Sequence, residues 1–288
     1  MIIDYPFHPR HWPKSIIYPE QHDSGEALRL DWDLGRVPED EKKKVIATWV
    51  RTLPSLSNLK RLCVWSHVNQ PLFDAICEVP SLEVLQLKWS NVRHLDAIRG
   101  LRALRLLSIG SSTRIESITP LADLPSLELL EIENFKLITD FSPLLSIRSL
   151  RDLSVTGSMW SKQSVASLQP FAQMTWLTSL CVDTSSLTSI RELAALTNLE
   201  RLGVGGRLPY TEYAWLAAKL PNTECQWFQP YLDLSAAGYS PCKSCGKQSM
   251  VMVTGKGKPT LCRHCDETKL AKHVRLFEQA RAAARSLA

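Results

Sequence analysis

The chain has 288 residues, 44% of them hydrophobic and 22% charged, with a formal net charge of +5. This is enough for one elongated domain plus a small satellite. The opening stretch MIIDYPFHPRHWPKSIIYPEQHD has no uninterrupted apolar run, so neither a signal peptide nor a membrane anchor is expected there, and the expected location is the cytoplasm. Its prolines and aromatics suggest an extended segment packed on an N-terminal cap. In ALRLDWDLG we read a first strand with Leu28 and Leu30 turned inward. PEDEKKKVIATWVRTL then reads as a helix that opens with acids near its positive end. Strand and helix together, within residues 1–55, cap the first coil of a repetitive middle region.

Between Leu59 and Leu202 the same pattern is written seven times: an apolar residue, then others three and five positions later. The triplets run from Leu59/Leu62/Val64 to Leu199/Leu202/Val204, and their first members step by 23, 22, 23, 23, 27 and 22 residues. The last two residues of each triplet are two apart and so share one face of a short strand. Val92, Leu95, Ile98 and Leu101 come next at intervals near three, which suits a tight helical or 3₁₀ return. Pro120, Pro125, Pro143 and Pro170 fall in these returns, where a missing backbone donor harms no ladder. A single unit of this kind cannot bury its apolar side, whereas stacked units bury a shared one. Cys225 and Trp227 keep the step and suggest a degenerate ninth strand.

LEVLQLKWSNVRHLDAIRGLRAL and LTSLCVDTSSLTSIRELAALTNL resemble the short repeats of bacterial internalin-type leucine-rich-repeat proteins, over about residues 56–227. The resemblance implies an α/β solenoid, a horseshoe with a parallel sheet on its concave side, here assigned to residues 56–234. The asparagine usual after the strand in that family is replaced by Ser90, Ser112, Ser158 and Ser185, and by Phe135. Serine still bonds turn backbone, so the coil is expected to survive with less regular turns.

In this repeat class the residues flanking each inward pair project from the concave sheet. Glu131, Glu133, Asp152 and Asp183 come from neighbouring coils and are expected to crowd there. Like charges on one sheet oppose each other, so such a cluster points to a basic partner. Trp65 and Trp89 lie toward the N-terminal end as candidate interface anchors, with tucking into the turn as the alternative for Trp89. Cys63 and Cys181 are also expected on the concave side. The 27-residue repeat carries an apparent insertion, GSMWSKQS, whose Met159 and Trp160 are large and apolar among small polar neighbours. Trp160 is therefore a candidate contact residue, with folding back over the core as the alternative. Nine strands about 4.8 Å apart give a face of about 40 Å, a length suited to a folded protein.

From residue 235 the character changes. Cys242, Cys245, Cys262 and Cys265 form two C-x₂-C pairs, the spacing of a four-thiolate structural Zn²⁺ site. KQSMVMVTGKGKPT reads as a hairpin between the pairs. The final helix places Leu270, Val274, Phe277, Ala284 and Leu287 near one face. Knuckle, hairpin and ligands at a helix start resemble a treble-clef finger, and less closely a zinc ribbon. His264 lies between two cysteines that already complete a tetrahedron, so it is read as a bystander. Residues from 240 onward hold ten Lys/Arg and three Asp/Glu, a charge of +7, whereas the remaining 24 and 26 give −2.

No phosphate loop, Ser/His/Asp arrangement or metal-hydrolase helix is present, and a closed four-cysteine site leaves no place for a catalytic water. The sequence thus points to a non-enzymatic, intracellular protein-binding module without a membrane role. With a bacterial source, such a one-partner protein would suit an immunity protein that blocks a toxin. A delivered effector that binds a host protein, or a nucleic-acid-associated regulator using the basic zinc domain, are the alternatives.

Overall fold

The inward triplets become strands. In a computed structural model, which describes residues 5–35, 37–235 and 237–286, two compact units succeed one another, residues 1–164 and 165–288. The first holds β1 (Ala27–Leu30), α1 (Glu39–Thr52), β2 (Arg61–Val68), α2 (Gln70–Cys77), β3 (Val84–Ser90), β4 (Leu106–Ile109), β5 (Leu129–Glu133) and β6 (Asp152–Thr156). Strands β1 to β6 are parallel neighbours in chain order. Their register keeps equivalent residues in line: Leu62, Leu85, Leu107, Leu130 and Leu153 form one buried row, and Val64, Leu87, Ile109, Ile132 and Val155 the next. Fully burying such a side chain contributes roughly 1.5–3 kcal/mol, so the two rows offset only part of the chain entropy of the coils, and the buried residues of the returns must supply more. The ladder slips between Val64 and His67, where β2 runs on beyond the repeat.

The returns are 3₁₀ turns at Asp96–Gly100, Thr119–Asp123 and Ser142–Ser146. Pro120 and Pro143 open two of them, where the missing N–H would be unsatisfied anyway. Ile98, Leu101, Leu121, Leu124, Leu144 and Ile147 point inward and complete the core. Three of the four serines after the strands bond the turns: Ser112 Oγ donates to Gly110 O at 2.7 Å and lies 2.7 Å from Ser90 Oγ, and Ser158 Oγ accepts from Trp160 N, whereas Ser185 Oγ is buried without a partner. At the Phe135 position the polar role passes to Gln163. Its buried carboxamide accepts from Phe135 N and donates to Phe135 O and Ile138 O, while Phe135 fills the core.

The second unit holds α3 (Gln169–Ala172), β7 (Ser179–Val182), β8 (Arg201–Val204), α4 (Tyr210–Lys219), β9 (Tyr231–Asp233), β10 (Met250–Val253), β11 (Thr260–Cys262) and α5 (Glu267–Ser286). Strands β7 and β8 repeat the parallel pairing. The expected ninth strand is reduced to one bridge, Arg201 to Glu224, because Cys225 and Trp227 turn at once into a short 3₁₀ helix. Strands β9, β10 and β11 form an antiparallel sheet with β10 in the middle. Gly255 and Gly257 take positive φ in the β10–β11 turn, a conformation that favours glycine. On α5, Leu270 and Val274 pack on this sheet, and His273 meets Tyr210 of α4 ring to edge at 5.2 Å. Leu287, assigned to the same face, lies outside the described residues. Eight repeat strands are thus present among the described residues, and each unit has the leucine-rich-repeat architecture.

Candidate functional site

The opening segment departs from expectation. Residues 16–21 pack at the cap, where Ile16 bridges Leu30 and Trp49 Nε1 donates to Ile17 O at 2.7 Å. Residues 5–12 instead cross the open face of the sheet, the side away from the returns. Phe7 (1% exposed) and Trp12 (7%) bury Cys63, with Trp65, Val84, Leu106 and Leu129 packed against them. Tyr5 Oη donates to Glu131 Oε2 at 2.7 Å. Arg61 stacks over Trp12 and donates to His11 O at 2.9 Å. The physical reason is in the register. Val84, Leu106 and Leu129 form an in-line apolar stripe on the open face, and water-exposed apolar area of that kind attracts cover.

Cys63 is therefore not an open thiol. Burial pushes its pKa up to about 12, which removes it as a nucleophile near neutral pH. Trp65 is half-buried between the Arg29 guanidinium and the Lys88 ammonium, 4.1 and 4.5 Å from its ring centre. Trp89 is half-buried on β3, with the same ammonium 5.3 Å away.

Glu131 and Glu133 sit two apart on β5, and Asp152 opens β6 opposite Leu129. Burial raises the Glu131 pKa, opposed by hydroxyl bonds from Tyr5 and Ser108 and reinforced by Glu133. A cleft of about 280 Å³ opens beside Tyr5, with Lys88, Glu131 and Glu133 as its charged groups and Ser108, Ser154 and Thr156 as its hydroxyls. Asp183 comes just after β7 in the second unit, where its carboxylate accepts from Ser185 N at 2.8 Å.

The inserted loop after β6 is pinned at its base. Ser161 Oγ donates to Asn134 Oδ1 at 2.6 Å, and Gln163 is fully buried. At its tip Met159 and Trp160 are each 89% exposed. Trp160 does not fold back.

In the second unit the Sγ atoms of Cys242, Cys245, Cys262 and Cys265 all lie within 4.8 Å of one another. Cys242–Cys265 is 3.9 Å and Cys245–Cys262 is 3.7 Å, far beyond a disulfide bond. A tetrahedron with metal–sulfur bonds of about 2.3 Å has edges of about 3.8 Å, so the donor set fits Zn²⁺. The hairpin carries Cys262, and the turn after Cys242 carries Cys245 and the positive-φ Gly246. Ser249 Oγ and the Cys265 N–H lower the Cys262 pKa to about 6 and favour its thiolate. His264 stands apart, 3.2 Å from Lys247 Nζ. Among the described residues no helix is long and apolar enough to cross a membrane.

No known protein-family profile matches this chain, and no curated protein matches it in sequence. Solved structures do. An internalin (inlF) from Listeria monocytogenes is similar over 59% of this chain and 54% of its own, at 18% identity and TM-score 0.44. An internalin C2 (inlC2) of the same organism gives 62% and 80%, at 20% identity and TM-score 0.49. A leucine-rich-repeat protein of Leptospira interrogans gives 59% and 43%, at 22% identity and TM-score 0.48. The chain thus spans about half the length of the first of these and less than half of the third.

Proposed function

We propose that this protein is a non-enzymatic protein-binding module that holds a basic protein partner against the open face of its repeat strands, with the four cysteines holding a structural Zn²⁺. The observation that carries this reading is the pinned loop whose tip leaves Met159 and Trp160 almost wholly in water. A large aromatic held out on a fixed base is what an interface anchor requires. The carboxylates of Glu131, Glu133 and Asp152 on β5 and β6 of the same unit supply the matching sign for a basic partner. Trp65 and Trp89 of the same unit are assigned to the wider contact area, and Asp183 is assigned as a contact residue of the second unit. Neutralising a toxin by covering its basic surface is the finer form of this reading. A nucleic-acid role draws less support, since Lys269 pairs with Asp266 and Arg263 with Asp233.

Affinity capture from the source organism, with nuclease present, tests the reading. Wild type should retain a basic protein that both Trp160→Ala and the Glu133→Lys/Asp152→Lys pair lose. Equal retention by all three would sink it.

A further inference from the structure

Residues 5–12 cover the in-line stripe of Val84, Leu106 and Leu129 and engage Glu131, part of the face proposed for the partner. The next strand carries Asp152 in that row, so the stripe stops at β5, the strand Tyr5 reaches. Cover and stripe are matched in extent.

The attachment is nevertheless built to let go. Residues 5–12 join no strand, and their backbone-to-backbone bonds, such as His8 N to Tyr5 O and Trp12 N to Pro9 O, close turns within the segment, while His11 O accepts from the Arg61 side chain. Pro6, Pro9 and Pro13 lack the N–H groups that strand addition would need. One donor of the cover itself, Trp12 Nε1, is buried without an acceptor, a penalty that release into water removes. From Tyr5 to Lys14 the segment carries Arg10, Lys14 and two histidines and no carboxylate. It is an aromatic, carboxylate-free occupant of a mixed face, on which it meets the Glu131 carboxylate through Tyr5 and the Arg61 guanidinium through His11 O and Trp12.

We propose that residues 5–12 are a releasable strap, a tethered occupant that competes with a basic, aromatic-bearing segment of the protein partner for the open face of β2–β5. The competition rests on the protein-binding reading, but its test does not need the partner. In the resting chain the strap keeps the stripe covered and lowers the apparent affinity of any competitor by the fraction of time it is seated.

The test uses the full chain and its Phe7→Ser/Trp12→Ser variant. Cys63 alkylation by iodoacetamide is read by peptide mass mapping, alongside amide hydrogen exchange. The probe is the synthetic peptide YPFHPRHWPK. Release predicts alkylation at least about tenfold faster in the variant, with exchange in β4–β6 unchanged. It also predicts peptide binding about tenfold tighter to the variant than to wild type, with alkylation slowed again on binding. Tyr5→Phe, which removes one hydroxyl, should accelerate Cys63 alkylation more modestly. Unchanged Cys63 reactivity, equal or absent peptide binding, or loss of protection throughout β2–β5 would each overturn the strap. Failed partner capture with these rates still shifted would instead refute the protein-binding reading.

Discussion

The hydroxyl of Tyr5 donates to the carboxylate of Glu131 across 126 positions of sequence, at 2.7 Å. It joins the opening segment to the middle of the repeat sheet, and it places a carboxylate where burial raises its pKa.

That shift has a sign. A carboxylate whose folded pKa exceeds its unfolded one holds its proton more tightly when folded, so its contribution to stability falls as pH rises through the interval between the two. Glu131→Gln keeps an acceptor for Tyr5 and deletes the titration. The stability of Glu131→Gln relative to wild type should therefore climb as pH rises upward from the ordinary glutamate range of about 4.3. Urea midpoints across that range would show it, and a flat difference would contradict the assignment.

Gly110 comes directly after β4, where an added Cβ would fall 2.3 Å from the backbone oxygen of Lys88 on the neighbouring strand. Backbone cannot rotate away as a side chain can. Gly110→Ala should cost about 1–3 kcal/mol through forced separation of β3 and β4, measured by chemical denaturation. A loss no larger than that of an exposed substitution would mean the two strands part freely.

Glu212 of α4 is buried, accepts from Ser189 Oγ at 2.6 Å and Ile190 N at 3.2 Å, and pairs with Arg191 Nε at 2.9 Å. It ties the last repeat helix to the preceding return. Glu212→Ala strands two of these donors and should cost roughly 3 kcal/mol, whereas Glu212→Gln should lose less. Calorimetry of both variants would separate the charge from the lost acceptor.

Elemental analysis should find one Zn²⁺ per chain, and Cys262→Ser should abolish it. Because metal binding is coupled to local folding, chelation should raise amide exchange in β10 and β11 while leaving β2–β6 protected. Full protection of the hairpin without metal would make the cluster dispensable.

Local periodicity explains what could be read in advance. Leu85 and Leu87, two apart, announce a strand face, and the cysteine spacing announces a shared centre, because both signals lie within a few residues or one hairpin. The strap is not legible in that way. Phe7, Trp12 and Tyr5 find Cys63, Leu106 and Glu131 only after the coils have stacked, and no short-range pattern records that meeting. One clue is present: Val84, Leu106 and Leu129 are apolar at open-face positions where Arg61 and Asp152 flank them. Three in-line apolar residues on a face meant for water already call for a cover. Gln163 escapes a sequence reading for a related reason, since its partners at Phe135 and Ile138 belong to the preceding coil.

At the last repeat strand, Glu224 takes the N–H of Leu202, and Trp227 Nε1 donates to the carbonyl of Val204. A sheet edge whose groups are already spoken for gives another chain nothing to template upon. Growth of the sheet by edge-to-edge addition is thereby opposed at this end of the row of coils.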